Sequence, residues 1–278
     1  ALAGCAAPEA KAMLPMWIVR DADSEILLFG SVHVLPPGLD WRPARLDAAL
    51  TAADDLWFEL PIDGASETET ANLAAARGVL PEGGSLFALL SPEGGARLKR
   101  AAEGLNLSPA LLDRLEPWFA EVVMAGAIYR KAGGEAGAGV EKTIAATAPA
   151  SARRQAFETP QEQIALFDGA PVAEQVASLE QSLKDLEAEP DAFRDLVDAW
   201  IAGDLDRIDE EALKPLRAAA PGLYARLVTE RNARWTKALQ ARMAGSGKTV
   251  VVVGVGHLAG SDGLPARLRA LGYSVEGP

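Results

Sequence analysis

The sequence predicts an α/β fold: a single domain whose central sheet is built from both chain ends, with a large helical insertion between them. Three observations carry this. Short apolar runs of strand character lie near the two termini, at Glu25–Phe29 and Thr249–Val253. Residues 66–243 are mostly helix-length segments opening on proline or polar residues. Each terminal run also ends in the same pattern, Gly30-Ser31-Val32-His33 and Gly254-Val255-Gly256-His257.

In chain order, residues 1–12 read as a flexible tether and 13–278 as the folded domain. Trp17–Arg20, the Asp/Ser-rich connection Asp21–Ser24 and Glu25–Phe29 read as strand, turn and strand. A helix over Arg42–Ala53 follows the first histidine, with Leu46 and Leu50 on one face. Asp55–Leu60 is a short apolar strand carrying one acid near its end, Glu59, and Pro61 closes it. Helices are expected over Pro92–Gly104, Pro117–Gly133, Pro171–Glu189, Pro190–Trp200 and Pro221–Met243. Gln155–Glu158 breaks the helical pattern as a brief extended segment before a helix opening at Thr159-Pro160. A helix over Leu264–Leu271 and a strand over Tyr273–Val275 complete the domain.

The stretch AGSGKTVVVVGVGHLAG, residues 244–260, admits three readings. A phosphate loop fails because Arg242 stands where the motif needs glycine, and because the glycines precede a strand. A dinucleotide fingerprint, Gly254-x-Gly256-x-x-Ala259 with Glu276 as ribose ligand, fits the preceding strand. It conflicts with the chain stopping at Pro278 and with His257 inside the turn. The third reading pairs the protein's only two histidines. A lone histidine is more often a core or surface residue, but two in one setting, each after a strand-ending glycine, point to a shared crevice.

Composition narrows the function classes. Lys+Arg 27 against Asp+Glu 39 gives a net charge of -12, which argues against a nucleic-acid partner. No run reaches the ~20 apolar residues of a membrane helix. The single cysteine sits in Leu2-Ala3-Gly4-Cys5, which resembles a lipoprotein cleavage and lipidation site. The expectation is an exported protein, periplasmic or held at a membrane only through a lipid on Cys5.

LFGSVHVLPPG, LWFEL, FETPQEQIALFDGAPVAEQ, ERNARW and VVGVGHLAGSDGLPARLRALGYSVE, in that order, resemble the TraB/GumN family, which is related to the Tiki metalloproteases. The resemblance runs over nearly the whole chain from about Trp17. It implies a metal-dependent site in which His33, His257 and Glu59 are ligands and catalytic groups and Gly30 and Gly254 shape the turns. It also maps the Glu-Arg-Asn segment onto Glu230, Arg231 and Asn232, and the Leu-Glu-Thr segment onto Phe157-Glu158-Thr159. Arg231 is the candidate for pairing a site carboxylate or holding an anionic transition state, with Glu158 and Asn232 in support; an arginine in a long helix is otherwise solvated. Glu141 stands where many relatives have Asp after Gly-Val.

Independently of the resemblance, two imidazoles and one carboxylate suffice to hold a catalytic divalent ion with open positions. Such an ion lowers the pKa of bound water and polarises a carbonyl. No Gly-x-Ser-x-Gly elbow accompanies the histidines, which leaves Ser31 or Ser261 poorly supported as nucleophile. Glu59, flanked by Trp57, Phe58 and Leu60, is costly to bury unpaired, although strand alternation also allows it to face solvent. The residues alone are compatible with Zn, Mn or Co. The reading is a metal-dependent hydrolase, and the resemblance to the Tiki metalloproteases implies a peptide or protein substrate and favours Mn or Co. The alternative is a metal- or ligand-binding protein on the same scaffold without turnover. Activity is expected to rise from about pH 5 to 7 as the imidazoles lose protons.

Overall fold

The computed structural model describes residues 14–278, so the tether and Cys5 lie outside the described residues. Six strands form one sheet: β1 (Met16–Arg20), β2 (Ser24–Ser31), β3 (Asp55–Phe58), β4 (Arg153–Ala156), β5 (Gly247–Gly254) and β6 (Ser274–Glu276). Their order is β4-β3-β5-β2-β1-β6. β4, β3, β5 and β2 run parallel, while β1 and β6 add antiparallel at the other edge.

Both chain ends supply the sheet as the pattern predicts, with one correction. β4 comes from inside the helical stretch and starts at Arg153, two residues before the extended segment expected there. Its exposed polar residues disguise it as a loop; as an edge strand it needs no apolar run. β5 shows the opposite signature. Val250–Val253 is apolar throughout because parallel strands of this kind are covered on both faces.

Alternation along the strands splits the core in two. Leu27, Phe29, Leu56, Phe58, Val250 and Val252 pack on one face with Leu46, Leu50, Val140 and Trp200. Ile26, Leu28, Val251 and Val253 pack on the other with Trp235, Leu239, Leu264 and Leu268. The helical insertion has a further core of its own around Leu98, Met124, Leu179 and Leu183, without a strand.

The helix boundaries follow local chemistry. Ser91 caps Pro92–Gly104, and Thr159 with Glu162 forms a reciprocal capping box at Pro160–Asp168. Pro190 lies outside its helix, which runs Ala192–Ala202. The expected single helix Pro221–Met243 is three pieces: Pro221–Tyr224, a π-helical turn over Ala225–Thr229, and Glu230–Met243. Among the described residues no helix is long and apolar enough to cross a membrane.

Candidate functional site

All four parallel strands end on the same side, and the side chains singled out in the sequence come from just beyond those ends. Phe157 N–H donates to the Phe58 carbonyl (3.0 Å) and Glu158 N–H to the Glu59 carbonyl (2.9 Å). The β3–β4 ladder therefore continues one step past the strands and sets Glu59 and Glu158 side by side. The Gly30 carbonyl at the end of β2 accepts from Trp200 Nε1 at 2.8 Å.

Neither motif glycine has a positive φ, so left-handed freedom is not why these positions are glycine. Space is. A Cβ on Gly254 would lie 3.1 Å from Glu59 Oε1 and 3.8 Å from both His33 Nε2 and His257 Cδ2. One point in the crevice thus has His33, His257 and Glu59 around it, although the two histidines stand more than two hundred positions apart in sequence.

The second histidine is locked. His257 is buried, its Nδ1 is 2.7 Å from Asn232 Oδ1, and its Nε2 is 3.1 Å from Arg231 Nη1. An arginine only donates, so Nε2 accepts and Nδ1 carries the proton given to Asn232. Asn232 also donates from Nδ2 to the carbonyls of His257 (3.2 Å) and Asp262 (2.9 Å), which fixes the amide's orientation. Trp235, one helical turn on from Arg231, packs against the His257 ring with centroids 4.4 Å apart and planes tilted by 47°, and the Arg231 guanidinium lies 4.6 Å over the same indole. Burial pushes the His257 imidazole down to about 4, although Glu59 pulls the other way.

Arg231 is the hub of the buried charges. Its Nη2 donates to Glu59 Oε2 (2.6 Å) and Glu158 Oε2 (2.8 Å), and its Nε to Glu158 Oε1 (2.9 Å). Glu59 Oε1 accepts from Gly254 N–H at 2.7 Å. Burial alone would raise the Glu59 carboxyl, but His257, Arg231 and His33 together hold it down to about 2. Glu59 is 8% exposed, so the solvent-facing alternative for this strand end is set aside. The carboxylate on the Gly254 amide also occupies the place a dinucleotide pyrophosphate would take, which removes that reading of the turn.

The first histidine is built differently. His33 keeps 68% of its side-chain surface, and its Nδ1 is 2.7 Å from Glu141 Oε1. Glu141 is buried and also accepts from the Ser31 hydroxyl. It opens the helix Val140–Thr147, whose Val140 N–H donates to the Val32 carbonyl at 3.1 Å. The preceding Gly139 is required by contact, because a Cβ there would sit 2.1 Å from the His33 carbonyl oxygen. Glu141 pushes the His33 imidazole up to about 9, against the pull of its partial desolvation; the ring's exposure lets water screen part of this. The imidazole in turn holds the Glu141 carboxyl below its usual range, although burial alone would raise it.

His33, His257 and Glu59 therefore converge, as do Arg231, Asn232 and Glu158. Sequence reasoning left Glu141 without a role and missed Trp235. Glu141 had a visible signal in Gly139-Val140-Glu141, a tight glycine beside an acid, but its distance in sequence from His33 concealed the pairing. As arranged, the three expected ligands do not fit a divalent ion. Glu59 Oε2 and His257 Nε2 already share the Arg231 guanidinium, itself a cation, and Glu59 Oε1 is taken by a backbone amide. No group of three or more His, Cys, Asp or Glu side chains in metal-holding geometry occurs among the described residues.

Fold and site together define an α/β protein with a polar crevice of buried ion pairs at the carboxyl ends of its parallel strands. The TraB/PrgY/gumN family matches residues 15–277, and the chain belongs to that family. No curated protein and no solved structure matched it.

Proposed function

We propose that the crevice hydrolyses a carbonyl substrate, a peptide or protein foremost, with His33 as the residue that moves the proton. One observation carries the reading: an exposed imidazole is held by its Nδ1 against a buried carboxylate at 2.7 Å, with its Nε2 turned into the space beside Gly254 and Glu59. That arrangement fixes the tautomer and supports the imidazolium that forms on proton uptake.

In the step, His33 Nε2 takes a proton from water as the water oxygen bonds to the carbonyl carbon. The same nitrogen then returns the proton to the leaving nitrogen as the C–N bond breaks. Glu141 orients the ring. Arg231 pairs with Glu59 and Glu158, and Arg234 takes the other oxygen of Glu158, so two guanidiniums offset these two carboxylates beside the developing oxyanion. Burial and the Arg231 guanidinium at Nε2 hold His257 neutral, and Asn232 fixes the ring's orientation.

Two further readings separate by experiment. The metal-dependent form, with Mn or Co ahead of Zn, rests on the resemblance to the Tiki metalloproteases and requires Arg231 to leave both Glu59 and His257. The non-catalytic form predicts ligand binding without turnover. The test is hydrolysis of a peptide library by the wild type, His33→Ala and Glu141→Gln, each with and without chelator. Wild-type turnover that survives chelator and falls about 10²-fold or more in His33→Ala supports the proposal. Loss of turnover with chelator installs the metal form, and no turnover in any sample installs the binding form. Export with a lipid on Cys5 completes the proposal; membrane partition of the full-length protein, lost in Cys5→Ser, is its check.

A further inference from the structure

The helical insertion carries a partly open cavity of about 440 Å³, within the range of small-molecule sites and outside the crevice described above. Its walls come from the helices Pro117–Lys131, Val172–Ala188 and Ala192–Ala202, with Met124, Ile128, Leu179, Leu186 and Leu196 supplying apolar surface. The lining includes five carboxylates, Glu121, Asp185, Glu189, Glu210 and Glu211, and no Lys, Arg or His.

Glu121 is the informative one. Its Oε1 accepts from the hydroxyls of Ser178 (3.0 Å) and Ser182 (2.5 Å). Burial raises its carboxyl, the two hydroxyls are the only opposing influence, and no cation contributes. Glu210 and Glu211 differ, since each has a basic partner on its own helical turn, Lys214 and Arg207. Two aromatic rings of the cavity wall have centroids 4.9 Å apart: Tyr129, eight residues further along the same helix and about 12 Å from Glu121, and Phe193. A half-buried carboxylate without a cation at one end of an apolar wall complements an ammonium group on a hydrocarbon body.

We propose that this cavity binds a small amphiphile carrying a protonated amine, with the ammonium at Glu121 and the hydrocarbon along Met124, Ile128 and Leu186 toward the Tyr129 and Phe193 rings. An anionic amphiphile meets five carboxylates there. A neutral one desolvates Glu121 further and gives nothing back.

The experiment is calorimetric titration of the full chain with n-octylammonium, n-octanol and n-octyl sulfate, each below its aggregation concentration. Hydrogen exchange with and without the amine locates the site. The expected result is one octylammonium per chain, octanol at least tenfold weaker, and no octyl sulfate binding. Glu121→Gln preserves acceptance from Ser178 and Ser182 and should weaken the amine at least tenfold, while Glu82→Gln, an exposed acid elsewhere, should change it less than twofold. Ala125→Phe narrows the same wall and should abolish binding, which tests the location even if Glu121→Gln does not fold. New exchange protection should be confined to 117–131, 172–188, 192–202 and the segment 205–219 that carries Ile208, Glu210 and Glu211. Equal affinity for amine and alcohol, affinity retained in both Glu121→Gln and Ala125→Phe, or no amine binding at all overturns the proposal.

Discussion

The two Gly-x-x-His turns share a motif and a strand end, yet they place their imidazoles in opposite states. His33 is exposed, faces a carboxylate and is pushed up to about 9. His257 is buried, faces an amide, packs against Trp235 and is pushed down to about 4. The motif delivers a histidine to the crevice; the partner that reaches it from elsewhere decides what the histidine does. A carboxylate at Nδ1 stabilises the charged ring, whereas burial with a guanidinium at Nε2 stabilises the neutral one. One arm is thus equipped to exchange protons and the other to hold its charge constant.

The largest effect is expected where the comparison depends on a single residue. Arg231→Met leaves Glu59 and Glu158 buried without their shared cation, and it should cost about 3–5 kcal/mol of stability. Urea unfolding at neutral pH measures it, and a loss below about 1 kcal/mol means that the guanidinium is not what makes these carboxylates tolerable.

Next comes acid. His257 titrates near 6.5 when unfolded and about 4 when folded, so its neutral form is the one the fold prefers. Above 6.5 the preference costs nothing. As the pH falls from 6.5 to 4 the unfolded state takes up the proton first, and stability is lost. Between pH 7 and 5 the wild type should lose about 2 kcal/mol more than His257→Gln, at about 1.4 kcal/mol per unit. Parallel curves for the two proteins would show that His257 is not held neutral. The Glu59 contribution has the other sign of shift: present above 4.5, it is lost as the pH falls toward about 2.

The same reasoning revises the pH–activity expectation drawn from the sequence. His33 must lose its proton to act as a base, and Glu141 delays that loss. kcat/KM should therefore keep rising above pH 7, up to the range of the shifted His33 pKa. Glu141→Gln should move the His33 titration down by more than one unit, seen by NMR of the imidazole, and should move the rising limb of the activity profile with it. A His33 titration that stays put assigns the shift to something other than Glu141.

The smallest effect is the exchange of identities. Asn232→Asp gives His257 the kind of partner His33 has, and its pKa should rise by about one unit while that of His33 stays within a few tenths. The NMR titration reads both in one experiment, because the protein has only these two histidines.

Legibility followed the range of the interactions involved. Gly30, His33, Gly254, His257 and Glu59 were readable because each stands at the end of a recognisable apolar strand, and in parallel sheets such ends meet. Glu158 and Asn232 were readable only through family resemblance. β4 escaped the apolar pattern, since an edge strand buries little, and the π-helical turn before Glu230 has no periodicity to betray it.

By itself the sequence determined the sheet's main strands, the two turns and the convergence of histidines with an acid. Those features rest on local periodicity, chain stiffness and the size of glycine, all encoded within a few residues. Only the tertiary structure decided that Glu141 belongs to His33, that Arg231 and Trp235 belong to His257, and that the two rings differ in proton affinity. Burial and charge proximity are properties of neighbours in space; Ser31 and Glu141, hydrogen-bonded in the structure, are 110 positions apart in the chain.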